Sequence, residues 1–129
     1  MKNQKIGDAG EEFAARYLIS KGYTILCRKY RSAHLETDII CENDTHILFV
    51  EVKSRTDLGK PSKYGRPAAA VDYKKQQNLI LCAQDYLRKH KPLKKPRIDV
   101  IEVYLKTIGG EYVLSEKGIR HIQNAVFGQ

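Results

Sequence analysis

Cysteine is scarce in this 129-residue chain: Cys27, Cys41 and Cys82 are odd in number and widely spaced. They make no disulfide framework and no Cys-x-x-Cys metal knuckle, and they fit core or surface thiols in a reducing cytoplasm. Long apolar runs are also missing. None approaches the ~20 residues of a membrane helix, which sets aside a membrane-spanning protein. The opening residues, Met1-Lys2-Asn3-Gln4-Lys5, lead into a mixed helical pattern and not an apolar signal segment, so export is not expected. Internal repeats and low-complexity tracts are absent. What is there is a hydrophobic fraction of 42% beside 29% charged residues, the balance of one folded domain spanning 1–129.

The formal charge is +8, unevenly placed. From Lys53 to Arg97 thirteen Lys and Arg stand against three acids, Asp57, Asp72 and Asp85. Such a segment is the electrostatic footprint of a polyanion binder. A solvated helix face followed by a basic loop fits the same count. An anionic membrane surface fits less well, because no basic amphipathic helix with a bulky apolar face stands out.

Along the chain, Gly10, Phe13, Ala14, Tyr17 and Leu18 recur at helical spacing and predict a helix over Gly7–Lys21, with Gly22 as its stop. Tyr23–Arg31, Glu36–Glu42 and His46–Ser54 read as strands, the last two separated by Asn43-Asp44. Ser54–Pro67 carries Arg55, Lys60, Lys63 and Arg66 among Gly and Pro and reads as a loop. Ala68–His90 is predicted as an amphipathic helix. Arg97–Lys106 follows as a fourth strand. Gly109-Gly110 then turns into a short segment, Glu111–Leu114, and a last helix is expected from Glu116 to Val126. The order is α-β-β-β-α-β, an α/β fold with a mixed central sheet flanked by helices: a core of about 7–105 and a strand–helix extension over 106–129.

The chemistry is concentrated in Glu36-Thr37-Asp38 and Glu51-Val52-Lys53. Residues two apart on a strand share a face. Glu51 and Lys53 therefore lie on one side of the most apolar strand, with Val50 and Val52 on the other. Ionised groups there are costly unless something compensates, and a divalent cation compensates a carboxylate cluster. Mg²⁺, or Mn²⁺, takes hard oxygen ligands and keeps waters, as phosphodiester hydrolysis needs. The reading carries a geometric condition. Asp38 and Glu51 share a face only with an even hairpin loop or a bulge. A two-residue turn pairs Glu36 with Glu51, and a four-residue loop over Asn43–His46 pairs Asp38 with Glu51. Without further context, Glu51-x-Lys53 also reads as an edge-strand charge pair, and Asp72-Tyr73-Lys74 matches the same triplet on a helix.

With these residues in order, the chain resembles the PD-(D/E)xK nuclease core, a restriction-endonuclease-like fold. More narrowly, Gly7-Asp8-Ala9 with Glu11 and Ala14, then Glu36-x-Asp38, Phe49-Val50-Glu51-Val52-Lys53, Lys75-Gln76 and Arg97-Ile98-Asp99-Val100 resemble the YraN family. That bacterial family is related to archaeal Holliday-junction resolvases. The resemblance runs from about Gly7 to Tyr104. It departs at Leu35, where the family usually has glycine. It implies Asp38 and Glu51 as metal ligands, with the Val52 carbonyl as a further oxygen donor and Glu11 as an added carboxylate. Lys53 would orient or polarise the attacking water and offset charge on the phosphate. Glu36 would be an outer ligand or a partner of Lys53. Lys75 and Gln76 would touch phosphate or water, and Arg55, Lys60, Lys63 and Arg66 would contact the nucleic-acid backbone. For Glu11, a solvated helical glutamate is the competing reading, as solvent-facing side chains are for Lys75 and Gln76. Asp99 is read as structural and His34 as a loop residue.

The function expected is a Mg²⁺- or Mn²⁺-dependent endonuclease acting on DNA, branched DNA included, with a two-fold homodimer if a four-way junction is cut symmetrically. A catalytically silent nucleic-acid-binding module on the same fold, and a protein-interaction domain with an acidic partner, are the alternatives.

Overall fold

The computed structural model of the chain describes residues 2–57 and 72–125. The elements are α1 (Lys2–Ser20), β1 (Thr24–Ser32), β2 (Leu35–Glu42), β3 (His46–Thr56), α2 (Tyr73–His90), β4 (Lys95–Ile108) and β5 (Glu111–Ile122). The strands form one sheet in chain order, antiparallel except for the parallel β3–β4 pair. This is the mixed α/β sheet flanked by helices that the sequence predicts, consistent with a restriction-endonuclease-like core.

Alternation on β3 sorts the core into two layers. Ile47 and Phe49 face α2, where they pack with Ile40, Leu79, Ala83, Tyr86 and Val100. Leu48 and Val50 face α1, packing with Ala14, Leu18, Ile39, Ile101 and Leu105. β3 is covered on both sides, which is why it reads as a nearly continuous apolar run. Among the described residues, no helix is long and apolar enough to cross a membrane.

Local chemistry sets the helix ends. α1 stops at Gly22, whose φ of 94° suits a residue without Cβ. The Gly22 N–H bonds the Ile19 carbonyl and the Tyr23 N–H bonds the Leu18 carbonyl, closing the helix with a Schellman motif. α2 begins later than the predicted Ala68. Asp72 caps it by accepting the Lys75 N–H at 2.8 Å, so the first helical residue is Tyr73. Residues 68–71 lie outside those described.

One predicted element is corrected. The helix expected from Glu116 to Val126 is instead the second half of β5, and Val126 lies outside the described residues. Gly109 and Gly110, with φ of 60° and 82°, turn the chain back so that Glu111 pairs with Ile108, and pairing with β4 continues to Ile122. The register shifts between Leu105↔Leu114 and Val103↔Ile119, with Gly118 at φ 66° in the bulge. The shift turns Ile119 to the α1 layer and Ile122 to the α2 layer. The extension after residue 106 is thus strand up to Ile122, because the open edge of β4 supplies a ladder that local helical spacing cannot outweigh.

A buried network ties this edge to α1. Asp99 has no exposed surface and receives two bonds from Arg97, at 2.9 and 3.0 Å, and one from the Asn124 N–H at 2.9 Å. His121 Nε2 lies 2.7 Å away, and its Nδ1 lies 3.0 Å from the Tyr17 hydroxyl. Burial pushes the Asp99 carboxyl up, but the His121, Arg97 and Asn124 hydrogen bonds outweigh it and hold it below the ordinary range. Asp99 is structural in this arrangement, as the sequence predicts.

Gly10 brings α1 and β3 together. A Cβ there would fall on the Ser54 hydroxyl and 2.9 Å from the Ser54 Cβ. Gly10→Ala is expected to lower the urea midpoint by an amount equivalent to ~1–3 kcal/mol. The double variant Gly10→Ala/Ser54→Gly should recover most of that loss.

Candidate active site

The cover over β3 thins after Val50, and the charged residues begin there. In the β2–β3 hairpin, Ile39 pairs with Val50 and Glu42 with Ile47. This is the four-residue-loop register. Asn43 holds the turn by accepting the N–H groups of Thr45 and His46 through Oδ1. Asp38 therefore reaches Glu51, but not as another ladder step: its Oδ2 accepts the Val52 N–H at 2.8 Å. The opposite residue on β1, Lys29, lies between the Arg28↔Ile39 and Tyr30↔Thr37 pairs and has φ of 55°. A non-glycine residue in that region is uncommon and costs backbone energy.

Three carboxylates influence one another across this break. Glu51 is 5% exposed, and its Oε2 takes ammoniums from both sides, Lys53 at 3.5 Å and Lys75 at 3.3 Å. Glu11, also 5% exposed, is held by Lys29 at 3.2 Å and Arg28 at 3.3 Å. Asp38 lies electrostatically between them. Burial and the charges of Glu51 and Glu11 push it up to about 7, against the Val52 N–H and the Lys75 charge, which favour ionisation. Asp38, Glu11, Lys29, Val52 and Lys53 line one open pocket of about 320 Å³.

The structure thus brings together Asp38, Glu51, Lys53, Glu11, Val52 and Lys75. Glu11, not its neighbour Glu12, turns inward; Glu12 pairs with Arg16 and Arg28 at the surface. Glu36 lies 3.8 Å from Arg31 on the edge strand, and of the two roles expected for it the pairing with Lys53 is not formed, since Lys53 contacts Glu51. Arg55 lies on β3, not in a loop, and points to Glu102 at 3.5 Å. Gln76 is half-buried in the first turn of α2, its N–H on the Asp72 carbonyl. Lys60, Lys63 and Arg66 lie outside the described residues. His34 sits in the β1–β2 turn, and all three cysteines are free thiols.

Sequence reading missed three neighbours. Lys29 and Arg28 carry no motif, and a left-handed residue inside a strand leaves no pattern. Glu102 could have been found: it is a carboxylate within an apolar strand, Val100-Ile101-Glu102-Val103, the same signal that marks Glu51. It is buried and accepts the Tyr104 hydroxyl at 2.6 Å.

For a divalent cation, the donors are hard oxygens, and Glu51 repels the charged form of Asp38, a repulsion that a cation would relieve. Among the described residues, no group of three or more His, Cys, Asp or Glu side chains is arranged to hold a metal ion. The fit is that of an open site with two carboxylates, a backbone oxygen and water, with Glu11 held aside by its own cations.

Comparison with known proteins places the chain in a family. Residues 10–103 match the uncharacterised protein family UPF0102. A UPF0102 protein of Clostridioides difficile is 43% identical over 126 residues, covering 97% of this chain and 99% of the relative. One from Caldanaerobacter subterraneus is 39% identical, covering 97% of each chain. One from Thermodesulfovibrio yellowstonii is 35% identical over 127 residues, covering 98% of this chain and all of the relative. None of these names states an activity.

A raised carboxyl has a definite linkage. Asp38 ionises at about 7 in the folded protein against an ordinary 3.8, so the cost of charging it is absent below the lower value and complete above the upper one. Asp38→Asn, which keeps an oxygen for the Val52 N–H, is expected to stabilise the protein by ~1–3 kcal/mol at pH 8 and scarcely at pH 4. Urea unfolding at the two pH values measures the difference.

Proposed function

Because the chain belongs to the UPF0102 family, the YraN family resembled by its motifs, we propose that it is a metal-dependent endonuclease hydrolysing phosphodiester bonds in DNA. The observation that carries this reading is Asp38 seated on the Val52 N–H beside the Glu51–Lys53 pair, with Glu11 behind it. Asp38, Glu51 and the Val52 carbonyl would hold Mg²⁺ or Mn²⁺, with Glu11 kept nearby by Lys29 and Arg28; the ion would supply Lewis acidity toward the phosphoryl oxygens and lower the pKa of water.

The chain's own residues define the remaining steps. Lys53 and Lys75 flank Glu51 Oε2, so two ammonium groups stand where a phosphate would add negative charge. Lys53 is the better placed of the two to orient the attacking water, since it also lines the pocket with Asp38. Water attacks phosphorus and gives up a proton to solvent, the P–O bond to the leaving sugar oxygen breaks and that oxygen takes up a proton, and the charge that develops on the phosphoryl oxygens meets Lys53. Lys75 keeps the Glu51 carboxylate in place from the α2 side. Arg55, oriented by Glu102, supplies a backbone contact one alternate position along β3. Branched DNA and a two-fold dimer are the finer form of the proposal.

The test is cleavage of labelled duplex, single-stranded and four-way-junction DNA with Mg²⁺ or Mn²⁺. Asp38→Ala, Glu51→Ala and Lys53→Ala are each expected to lower cutting by at least ~10²-fold, and EDTA to abolish it. Binding without cutting, unchanged in the three variants, would replace the enzyme with a nucleic-acid-binding module on this fold.

A further inference from the structure

The basic segment of the sequence does not fold into one patch. α2 runs antiparallel to β3: Lys75 at its start meets Glu51, while Tyr86 packs on Phe49 and Lys95 pairs with His46 at the other end of the strand. Lys53, Arg55 and Lys75 therefore gather at the candidate site, whereas Arg88, Lys89, Lys91, Lys94 and Lys95 gather at the opposite pole. The site reading accounts for the first group and leaves the second without a role.

The outer face of α2 connects the two. Leu79, Cys82, Ala83 and Tyr86 point into the core. Opposite them, at alternating spacings of three and four, lie Lys74, Gln77, Leu81, Gln84, Arg88 and Lys91, a stripe about 100° wide. No residue of this stripe is acidic. The two acids of the segment lie off it and are engaged: Asp72 caps the Lys75 N–H, and Asp85 accepts the Tyr30 hydroxyl at 2.8 Å and pairs with Arg88 and Lys89. At the pole, Glu42 pairs with Lys94 at 3.2 Å, and Asp44 stands exposed in the adjacent β2–β3 turn. Lys74 and Lys91 are exposed and have no carboxylate within ion-pair distance among the described residues. Lys91 also closes the helix in the left-handed region, its N–H on the Leu87 carbonyl, which fixes the backbone of the last cation of the stripe.

We propose that the outer face of α2 is a second nucleic-acid-binding surface: a track that holds the phosphate backbone of a substrate arm from the cleavage site to the Arg88–Lys95 pole. The inference rests on the nuclease reading for the identity of the polyanion. Lys74 and Lys91 are 17 residues apart, about 26 Å along the helix. That is the rise of about 7–8 base pairs of duplex. Cations at both ends and the Gln77 and Gln84 amides between them suit phosphate oxygens, which accept from either and carry no sequence information, while the exposed Leu81 adds an apolar contact between the amides. An acidic peptide would satisfy the charges but gives no reason for the stripe to start beside Lys75 and Glu51.

The track is tested by binding, separately from cutting. The probe is a fluorescein-labelled ~24-base-pair duplex in EDTA, with anisotropy measured between ~50 and ~200 mM salt. Lys74→Gln/Lys91→Gln removes two charges at exposed positions that pack against nothing in the core. The expected result is ~10-fold weaker binding at the lower salt and a slope of log K against log salt that is smaller by ~2. Lys21→Gln, an exposed lysine at the end of α1, should leave the slope unchanged. An unchanged slope in the double variant, with wild type binding normally, overturns the track and leaves the nuclease reading standing. A lost affinity for a polyglutamate peptide with duplex binding intact overturns it in favour of an acidic protein partner. A reduced slope in a protein that never cuts DNA supports the track and sinks hydrolysis. Absence of duplex binding by wild type sinks both.

Discussion

Every functional feature of this molecule depends on where β3 loses its cover. Helices pack on both of its faces from Ile47 to Val50, and every side chain over that stretch is apolar. The next residue of the same strand is Glu51, and Lys53 follows two further on. The carboxylates that gather there are buried enough to be costly, and each is compensated differently. Glu51 has two lysines, and Glu11 has a lysine and an arginine. Asp38 has a backbone N–H and no ion pair among the described residues. That asymmetry explains why Asp38 is the carboxyl pushed upward, and it marks the place where an added positive charge would be most welcome.

Asp38 and Asp99 show how neighbouring positions in one sheet can hold the same side chain to opposite ends. Asp99 pairs in register with Val50, just before the acidic stretch of β3. It is completely enclosed, yet four polar groups converge on it and favour its charged form. Asp38 is less enclosed but faces like charges, and the neutral form gains. A fully partnered buried carboxylate is structural material. An under-partnered one in an open pocket, beside a lysine and a left-handed backbone residue, is the pattern expected of a site that stores energy for a ligand.

Much of this was legible in the sequence because strand periodicity constrains it. The hairpin condition admits few registers that place Asp38 beside Glu51, and the structure adopts the four-residue loop, with Asp38 turning to the Val52 N–H instead of extending the ladder. Glu11 over Glu12 was legible from motif alignment alone, since a helix separates the two by about 100° and only one can face the sheet. β5 was not legible. Its spacing from Glu116 onward is compatible with a helix, and only the open edge of β4 decides for a strand. Nor could the partition of the basic segment be read, because proximity in sequence between Lys75 and Arg88 becomes distance once α2 spans the sheet. Lys29 depends on a backbone torsion and Arg55 on a carboxylate from another strand, and neither leaves a local trace.

The Asp99 network joins residues that ribosomal synthesis separates widely. Tyr17 belongs to the first helix made, and His121, which touches both Tyr17 and Asp99, emerges 104 residues later. Until β5 arrives, Asp99 and Arg97 face the α1 layer with part of their polar enclosure missing, and α1 lacks its bond to the far edge of the sheet. The order of emergence therefore runs against the order of completion. The α1 layer, which carries Glu11 to the candidate site, gains its last buried hydrogen bonds only when β5 pairs with the edge of β4.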